Sequence, residues 1–378
     1  MTPHPTRLVG RLPHRASALL GLAVLSAGCA STGAGWYKGN THAHTVLCGH
    51  ADSTPEAVAG WYLDHGFHFL VLSEHNLFID PADVELPADR RRDFILIPGE
   101  EITGSKGIHT TGMNLDGLVD SSFDGEHKHE VIQDHVHGAR AAGGIPILNH
   151  PNFGWAVTAE DMLPVEHLHH FELYNGHPAV HNEGDATRPS TEELWDQLLS
   201  AGMRIWGVSS DDMHNLESWG PEVSNPGRGW VMVRADELSP DAITDAMTRG
   251  DFYASSGVIL SEVSVTAEAD GAKTYRVAVD EDATRRELES DLLVGRQLEA
   301  AEAEPGFRIE WIGQGGEVLA SHRATSSSHR LEPGMPYLRC RVTCVVEGGS
   351  DGEGPGSASE HYAYFAWTQP AFGATSGH

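Results

Sequence analysis

Positive charge and cysteine are both scarce in this 378-residue chain, and each scarcity removes a class of function. Against 54 Asp and Glu stand 25 Lys and Arg, for a formal net charge of -29. A surface this acidic repels nucleic acid and anionic lipid faces. The 4 Cys are too few for a disulfide framework. Cys340 and Cys344 lie four apart in a strand-like run, on one side but too far apart along it to pair easily, and read as core or surface thiols. No P-loop, Gly-rich dinucleotide fingerprint or GxSxG turn occurs, which sets aside nucleotide-cofactor and serine-hydrolase chemistry. The apolar run ASALLGLAVLSAG is too short to span a membrane comfortably.

That run follows Arg7, Arg11 and Arg15 and ends in small residues, as a secretory signal does. Ala27-Gly28-Cys29 then resembles a bacterial lipobox, with Ser26 where Leu, Val or Ile is usual. The expectation is a signal peptide over residues 1–28, lipidation of Cys29 and a linker over 29–37. An ordinary signal peptide cut nearby is the alternative. Ala30 gives no inner-membrane retention signal, so the expected place is an outer membrane, facing periplasm or surface. Cleavage removes three Arg and no acid, taking the net charge from -29 to -32.

Two domains are expected at this length. From Lys38 to about Val258, short apolar runs alternate with capped helices, the βαβ rhythm of an α/β fold. Ser53-Thr54-Pro55-Glu56 opens one helix, Ser190 with Glu193 another, and Ser239-Pro240 a third that ends near Gly250. FHFLVL, DFILI, IPIL, HFELY and RIWGV read as buried parallel strands. Beyond Val258 the pattern turns to strands, from SEVSVTAEA to YAYFAWTQ, interrupted by an acidic helical stretch near Arg285 to Glu304. Residues 259–378 therefore read as a β-sandwich-like accessory domain.

What is abundant is histidine, 24 in all. HxH occurs at His42/His44, His127/His129, His135/His137 and His167/His169. Residues i and i+2 of a strand point the same way and can share an ion, whereas on a helix they diverge. His42 and His44 end a strand. The pairs in EHKHEVIQDHVHGARAAGG fall on an expected helix and read as solvated surface. Other candidates sit at strand ends: His75, Glu100 and Glu101, His109, His150, and Asp212 with His214. In a barrel the carboxyl ends of the strands meet on one face, so these groups converge into a metal site.

HAH at His42 to His44, CGHA at Cys48 to Ala51, SEHN at Ser73 to Asn76, PGEEI at Pro98 to Ile102, NHP at Asn149 to Pro151 and SDDMH at Ser210 to His214 resemble the polymerase and histidinol phosphatase (PHP) family of metal-dependent hydrolases. The resemblance covers residues 38–258 and implies a distorted (β/α)7 barrel with two or three divalent ions. It implies that His42, His44, Glu101 and Asp212 hold one ion, that Glu101 bridges to a second with His109 and His150, and that His50, His75 and His214 hold a third. Glu101 is preferred over Glu100, and His50 over Asp52. Glu74 stands where the family commonly has Asp, and CGHA replaces its Ser-Asp-Gly turn. DFYASSGVIL and AWTQP resemble an exported branch that includes carbaryl-hydrolase-like metallohydrolases.

The expected chemistry is hydrolysis of a small-molecule ester by a metal-bridging hydroxide. Phosphoric esters are favoured, with carbamate or carboxylic esters as the alternative. Asp212 or His177 is the candidate general acid, and Arg228 the candidate for orienting an anionic substrate. Asp211, Glu74 and Asn149 are candidates for orienting bound histidines. Zinc, manganese and iron suit the donor set equally. A reading of another class is an exported lipoprotein that captures metal without turnover.

Overall fold

The computed structural model describes residues 34–119, 124–290, 292–299, 302–348 and 360–373. The signal-peptide and Cys29 expectations lie outside these. Among the described residues, ten strands precede Val258: β1 (Gly35–Ala43), β2 (Phe69–Leu72), β3 (Ile95–Ile97), β4 (Gly99–Thr103), β5 (His109–Met113), β6 (Ile145–Leu148), β7 (His170–Asn175), β8 (Trp206–Ser210), β9 (Trp230–Ala235) and β10 (Phe252–Ser255). Nine follow: β11 (Leu260–Ala267), β12 (Lys273–Val279), β13 (Arg296–Leu298), β14 (Gly306–Ile312), β15 (Val318–His322), β16 (Ser326–Leu331), β17 (Tyr337–Glu347), β18 (His361–Thr368) and β19 (Ala371–Phe372). The helices are α1 (Pro55–Asp64), α2 (Lys128–Ala141), α3 (Ala159–Met162), α4 (Thr191–Ser200), α5 (Pro240–Arg249) and α6 (Glu281–Leu288).

The helices begin where side chains can satisfy their free amides. Thr54 accepts from Ala57 N ahead of Pro55, and Ser190 and Glu193 hydrogen-bond reciprocally. Gly250 closes α5 at φ 78°, a conformation that costs other residues a steric penalty. The acidic helix is shorter than expected. It ends at Leu288, and Arg296–Leu298 instead pairs with β18. A side chain at Gly295 would come within 2.8 Å of Tyr362 and Tyr364, so the chain there lies flat against the sheet.

The architecture is mixed α/β. One sheet runs β15-β14-β17-β18-β10-β9-β1-β2-β3, with β13 and β19 attached, a second runs β4-β5-β6-β7-β8, and a third runs β11-β12-β16. Several of the strands expected to be parallel are so: β1, β2 and β3 pair in parallel, as do β6, β7 and β8. The β4–β5, β5–β6 and β9–β10 ladders are antiparallel. No continuous ladder closes a (β/α)7 barrel among the described residues. The first two sheets are instead joined by single bridges, Ala43 to Met213 and His75 to Glu101. Gly39 lets β1 lie against Phe69 of β2, since a Cβ there would stand 2.2 Å from that ring.

Apolar residues of both large sheets share one core, including Phe69, Val71, Ile97, Ile147, Val208 and Val231. A second core, around Trp311, Val342, Tyr275 and Tyr253, lies under the later strands. The first large sheet continues past Val258, because β10 pairs with β18. Buried charge also ties the chain across that point. Arg339 on β17, 1% exposed, reaches Asp196 through Nε at 2.8 Å and Nη2 at 2.5 Å, and Glu192 through Nη1 at 2.8 Å. Arg341 adds a 3.0 Å bond to Glu192. Lys38 of β1 meets Glu287 of α6 at 2.9 Å, above the Trp230 ring.

Burial alone would raise the Glu192 carboxyl, but Arg339 and Arg341 outweigh it and lower its pKa to about 2 from 4.5. A depressed carboxylate contributes stability above the unfolded pKa and loses it as the pH falls through the folded one. Stability should therefore decline between about pH 4.5 and about pH 2 as this group protonates. Arg339→Ala should cost roughly 3–5 kcal/mol in denaturant unfolding at neutral pH, because it leaves Asp196 buried without a cationic partner and Glu192 with Arg341 alone.

Candidate metal centre

Both bridges between the first two sheets lie at candidate ligands. Ala43 is flanked by His42 and His44, Met213 by Asp212 and His214, and the other bridge joins His75 to Glu101. Hydrogen bonds fix the seam: His44 N to Met213 O at 2.9 Å, Asp212 N to His42 O at 3.0 Å and Glu101 N to Glu74 O at 2.9 Å. Because β5 runs antiparallel, its first residue, His109, reaches the end of the sheet where β6, β7 and β8 finish. Three non-glycine residues here take positive φ, Asn76 (50°), His150 (22°) and Asp212 (50°), backbone strain of the sort that collects at functional sites.

The nitrogens and oxygens converge. His42 Nε2 and His44 Nε2 are 3.1 Å apart, and Asp212 Oδ1 lies 3.3 and 3.4 Å from them. Glu101 Oε1 is 3.4 Å from His42 Nε2, 3.1 Å from His109 Nδ1 and 3.2 Å from His150 Nε2, while its Oε2 is 3.4 Å from His44 Nε2 and 2.8 Å from His75 Nδ1. His214 Nε2 and His50 Nε2 are 2.9 Å apart. Two ligands each about 2.1 Å from one ion stand roughly 3.0–3.4 Å apart, so these spacings suit shared cations. Strand alternation settles which glutamate faces the cluster. Glu101 does, whereas Glu100 accepts from Val119 N at 2.9 Å, and burial raises its pKa to about 7.

Proton placement tests the fit. His42 Nδ1 donates to Glu172 at 2.8 Å, His214 Nδ1 to the Asp212 carbonyl at 2.9 Å and His50 Nδ1 to the Cys48 carbonyl at 3.2 Å. Each ring then presents a bare Nε2, and between His50 and His214 two lone pairs face each other at 2.9 Å. Only a cation or an added proton makes that contact attractive. Glu101 Oε2, buried, has no well-aligned hydrogen bond either. His42, His44, His75, His214, Glu101, His150 and Asp212 all belong to groups whose donor atoms could hold an ion.

Electrostatics agree. Burial alone would lower the pKa of His42, but Asp212, Glu101 and Glu172 outweigh it and hold it well above the usual range. Burial is likewise outweighed by carboxylates at His44 and His150, which are also raised. Glu101 and Asp212 are held well below their usual values, since the surrounding histidines overcome the effect of burial. His214 is pushed down to about 3 by burial and the neighbouring His44.

Several residues were not foreseen as parts of the site. Glu172 is 1% exposed, orients His42, and accepts from Ser210 Oγ (2.5 Å), His150 N (2.7 Å) and Asn175 Nδ2 (2.8 Å). Its one signal in the sequence is a carboxylate between Phe171 and Leu173 in a buried strand. Asn175 also donates to Asp212 Oδ2 at 3.3 Å. Asn149, an expected orienter, donates to Glu101 Oε1 at 2.9 Å. Glu74 accepts from Thr45 N at 2.7 Å, and its other oxygen lies 3.7 Å from His44 Nδ1.

Other candidates have different work. Arg228, 4% exposed, donates through both Nη nitrogens to the carbonyls of Val223 and Gly220 and to Asn225, so these two nitrogens are turned into the loop before β9, while its Nε has no partner. Asp211 holds the same loop, accepting from the amides of Gly227, Arg228 and Gly229 and from Tyr62 Oη, and burial raises its pKa to about 6. Asp52, the substitute for His50, accepts from Leu216 N and Glu217 N. His135, expected at the surface, is buried against Thr110, because Val131, Ile132 and Val136 turn that face of α2 inward. His177 sits at the rim, its ring 5.7 Å from that of His214, with Nδ1 accepting from Ala179 N. A cavity of about 810 Å³ beside α4 and β17 lies away from the centre, its walls including the paired Glu192, Asp196 and Arg339.

No family model matches the chain, and no curated protein matches it. Among solved structures it is similar to a two-domain protein from Bacteroides vulgatus containing a predicted PHP-like metal-dependent phosphoesterase. The identity is 14%, the match covers 90% of this chain and 88% of that one, and the TM-score is 0.42. A superposition this loose transfers neither fold nor chemistry. The case rests on the centre itself.

Glu172→Gln should lower metal affinity about 10–100-fold by freeing the His42 ring, as measured by competitive chelator titration. His129→Ala and His169→Ala should leave affinity unchanged. Because ions must displace protons from His42, His44 and His150, affinity should fall as the pH drops, starting above the ordinary imidazole range near 6.5. Calorimetry in buffers of different ionisation enthalpy should show more protons released per ion at lower pH.

Proposed function

We propose that this protein is a metal-dependent hydrolase of small ester substrates, with phosphoric esters as the favoured class. The observation that carries the reading is the meeting, at one seam, of bare imidazole nitrogens with two buried carboxylates from separate strands. Metal-capture proteins gather histidine in a mobile tract, whereas this donor set comes from separate strands and opens on one side, where His50 is exposed and His75 and His109 are partly so. Two or three divalent ions held there would bring a bound water's pKa to near 7 and polarise the ester oxygen. His42, His44, His50, His75, Glu101, His109, His150, Asp212 and His214 would hold them.

The chain's own groups complete the chemistry. Glu172 and Asn149 keep His42 and Glu101 in place, so little reorganisation accompanies reaction. With Nδ1 of His177 accepting from Ala179 N, the ring is neutral with its proton on Nε2, and burial lowers its pKa, so this first candidate, at the rim, can hydrogen-bond a leaving-group oxygen and must gain a second proton to act as a general acid. Asp212, held through Oδ2 by Asn175, is the second candidate for proton transfer. Carbamate or carboxylic ester hydrolysis is the second reading, and two observations favour it. The Arg228 guanidinium is buried against the carbonyls of its own loop, and the Phe153 ring, 41% exposed, lies 5.3 Å from that of His150.

The deciding experiment is a substrate panel with the purified chain, loaded separately with zinc, manganese and iron. Turnover of phosphomonoesters with competitive inhibition by inorganic phosphate supports the first reading. Turnover of neutral aryl esters or carbamates with weak phosphate inhibition supports the second. A loaded protein with no turnover on any of them supports capture without catalysis. His42→Ala and Asp212→Ala should lower occupancy and abolish turnover. We also propose export with a lipid anchor at Cys29, which mass spectrometry of the mature N-terminus would test. Among the described residues, no helix is long and apolar enough to cross a membrane.

A further inference from the structure

A single thiol stands at the mouth of this centre. Cys48 ends a short turn of 3-10 helix, Val46–Cys48, that Thr45 caps through Leu47 N and that Gly49 closes at φ 84°. The turn fixes two things at once. The Cys48 carbonyl receives the Nδ1 proton of His50, which aims His50 Nε2 at His214, and the Cys48 side chain, partly exposed, faces the same place. Its Sγ and the ring nitrogens of His50 and His214 all lie within 4.8 Å of one another.

A second, independent feature borders the thiol. His44 and Glu74 are both fully buried, and His44 Nδ1 and Glu74 Oε2 have no hydrogen-bond partner although they lie 3.7 Å apart. Cys48 Sγ also falls within 4.8 Å of the donor atoms of these two residues. An orphaned ring nitrogen of this kind needs an acceptor once the other nitrogen, Nε2, is committed to the His42 and Asp212 side of the centre. A thiolate would be that acceptor, and a neutral thiol a poor one.

We propose that Cys48 binds through its thiolate to the cation held by His50 and His214, giving the outermost ion a mixed sulfur and imidazole environment. The inference rests on the metal-centre reading and adds a ligand to it. On binding, the Cys48 S–H bond breaks and its proton leaves to solvent, while a metal–sulfur bond forms with no change of oxidation state. The thiolate also accepts the hydrogen bond of His44 Nδ1–H. A soft ligand at this position selects zinc or cobalt over magnesium, calcium or manganese at the outer ion, where the inner ions see only nitrogen and oxygen.

Cobalt(II) reconstitution of the full chain tests this without reference to turnover. Wild-type protein should show a sulfur-to-cobalt charge-transfer band in the near ultraviolet, and Cys48→Ser should lose it while keeping the visible cobalt bands of the inner ions. The variant should bind its outermost ion about tenfold or more weakly, and loading should release one proton fewer. In parallel, cobalt should protect Cys48 from iodoacetamide, followed by peptide mapping, which remains informative if the variant folds poorly. Bound cobalt with no charge-transfer band, a band that survives in Cys48→Ser, or unchanged alkylation of Cys48 would overturn the proposal while leaving the hydrolase reading intact. A chain that shows the band yet hydrolyses nothing would leave the ligand assignment standing and overturn the hydrolase.

Discussion

A neutral imidazole has one proton to place, and the centre is organised by where those protons go. Glu172 takes that of His42, and backbone carbonyls take those of His50 and His214. What remains is a set of lone pairs aimed at one another, which is repulsive by itself and favourable only around positive charge. Burial sharpens the effect, because electrostatic interactions strengthen as water is excluded. The depressed Glu101 and Asp212 and the raised His42, His44 and His150 are the same preference seen from both sides.

That arrangement dictates the backbone around it. The donor atoms must come from different strands, so the chain brings two sheets together at a seam and, among the described residues, bridges them at two points, each formed by or flanked by ligand residues. His150 and Asp212 leave their strands through strained conformations that redirect the side chains. The loop from 220 to 229, beside the Asp212–His214 turn, is held by charged groups that do no chemistry. Arg228 gathers its carbonyls, and Asp211 gathers its amides.

Much of this was legible in the sequence because strand geometry is periodic. His42 and His44 at i and i+2 must share a direction, and Glu101 and Glu100 must oppose each other, but alternation does not say which of the two faces the centre, and that choice came from the resemblance to the PHP family. The capped starts of α4 and α5 were equally plain, since Ser190 and Ser239 carry their function in their own side chains, whereas α1 is capped by Thr54, one residue past the capping box that Ser53 and Glu56 suggest. Strand direction was not, because a buried run such as β5 has the same composition whichever way it lies. His135 was hidden for a related reason: its burial depends on which face of α2 meets β5 and β6. Glu172 leaves only a single-residue signal, and the ring it orients lies about 130 positions away in sequence. Arg228 misled because its partners are carbonyls, which no sequence pattern displays.

The pairing of β10 with β18 carries a consequence for how the molecule can be taken apart. Cut after Val258, the chain would retain all the residues of the centre but would leave the β10 residues Tyr253 to Ser255 with no neighbour on one side. An unpaired edge next to an apolar face invites a strand from another molecule. The later strands thus serve the centre from a distance, as a lid on the sheet's hydrogen-bonding rim that keeps each copy of the chain from being completed by the next.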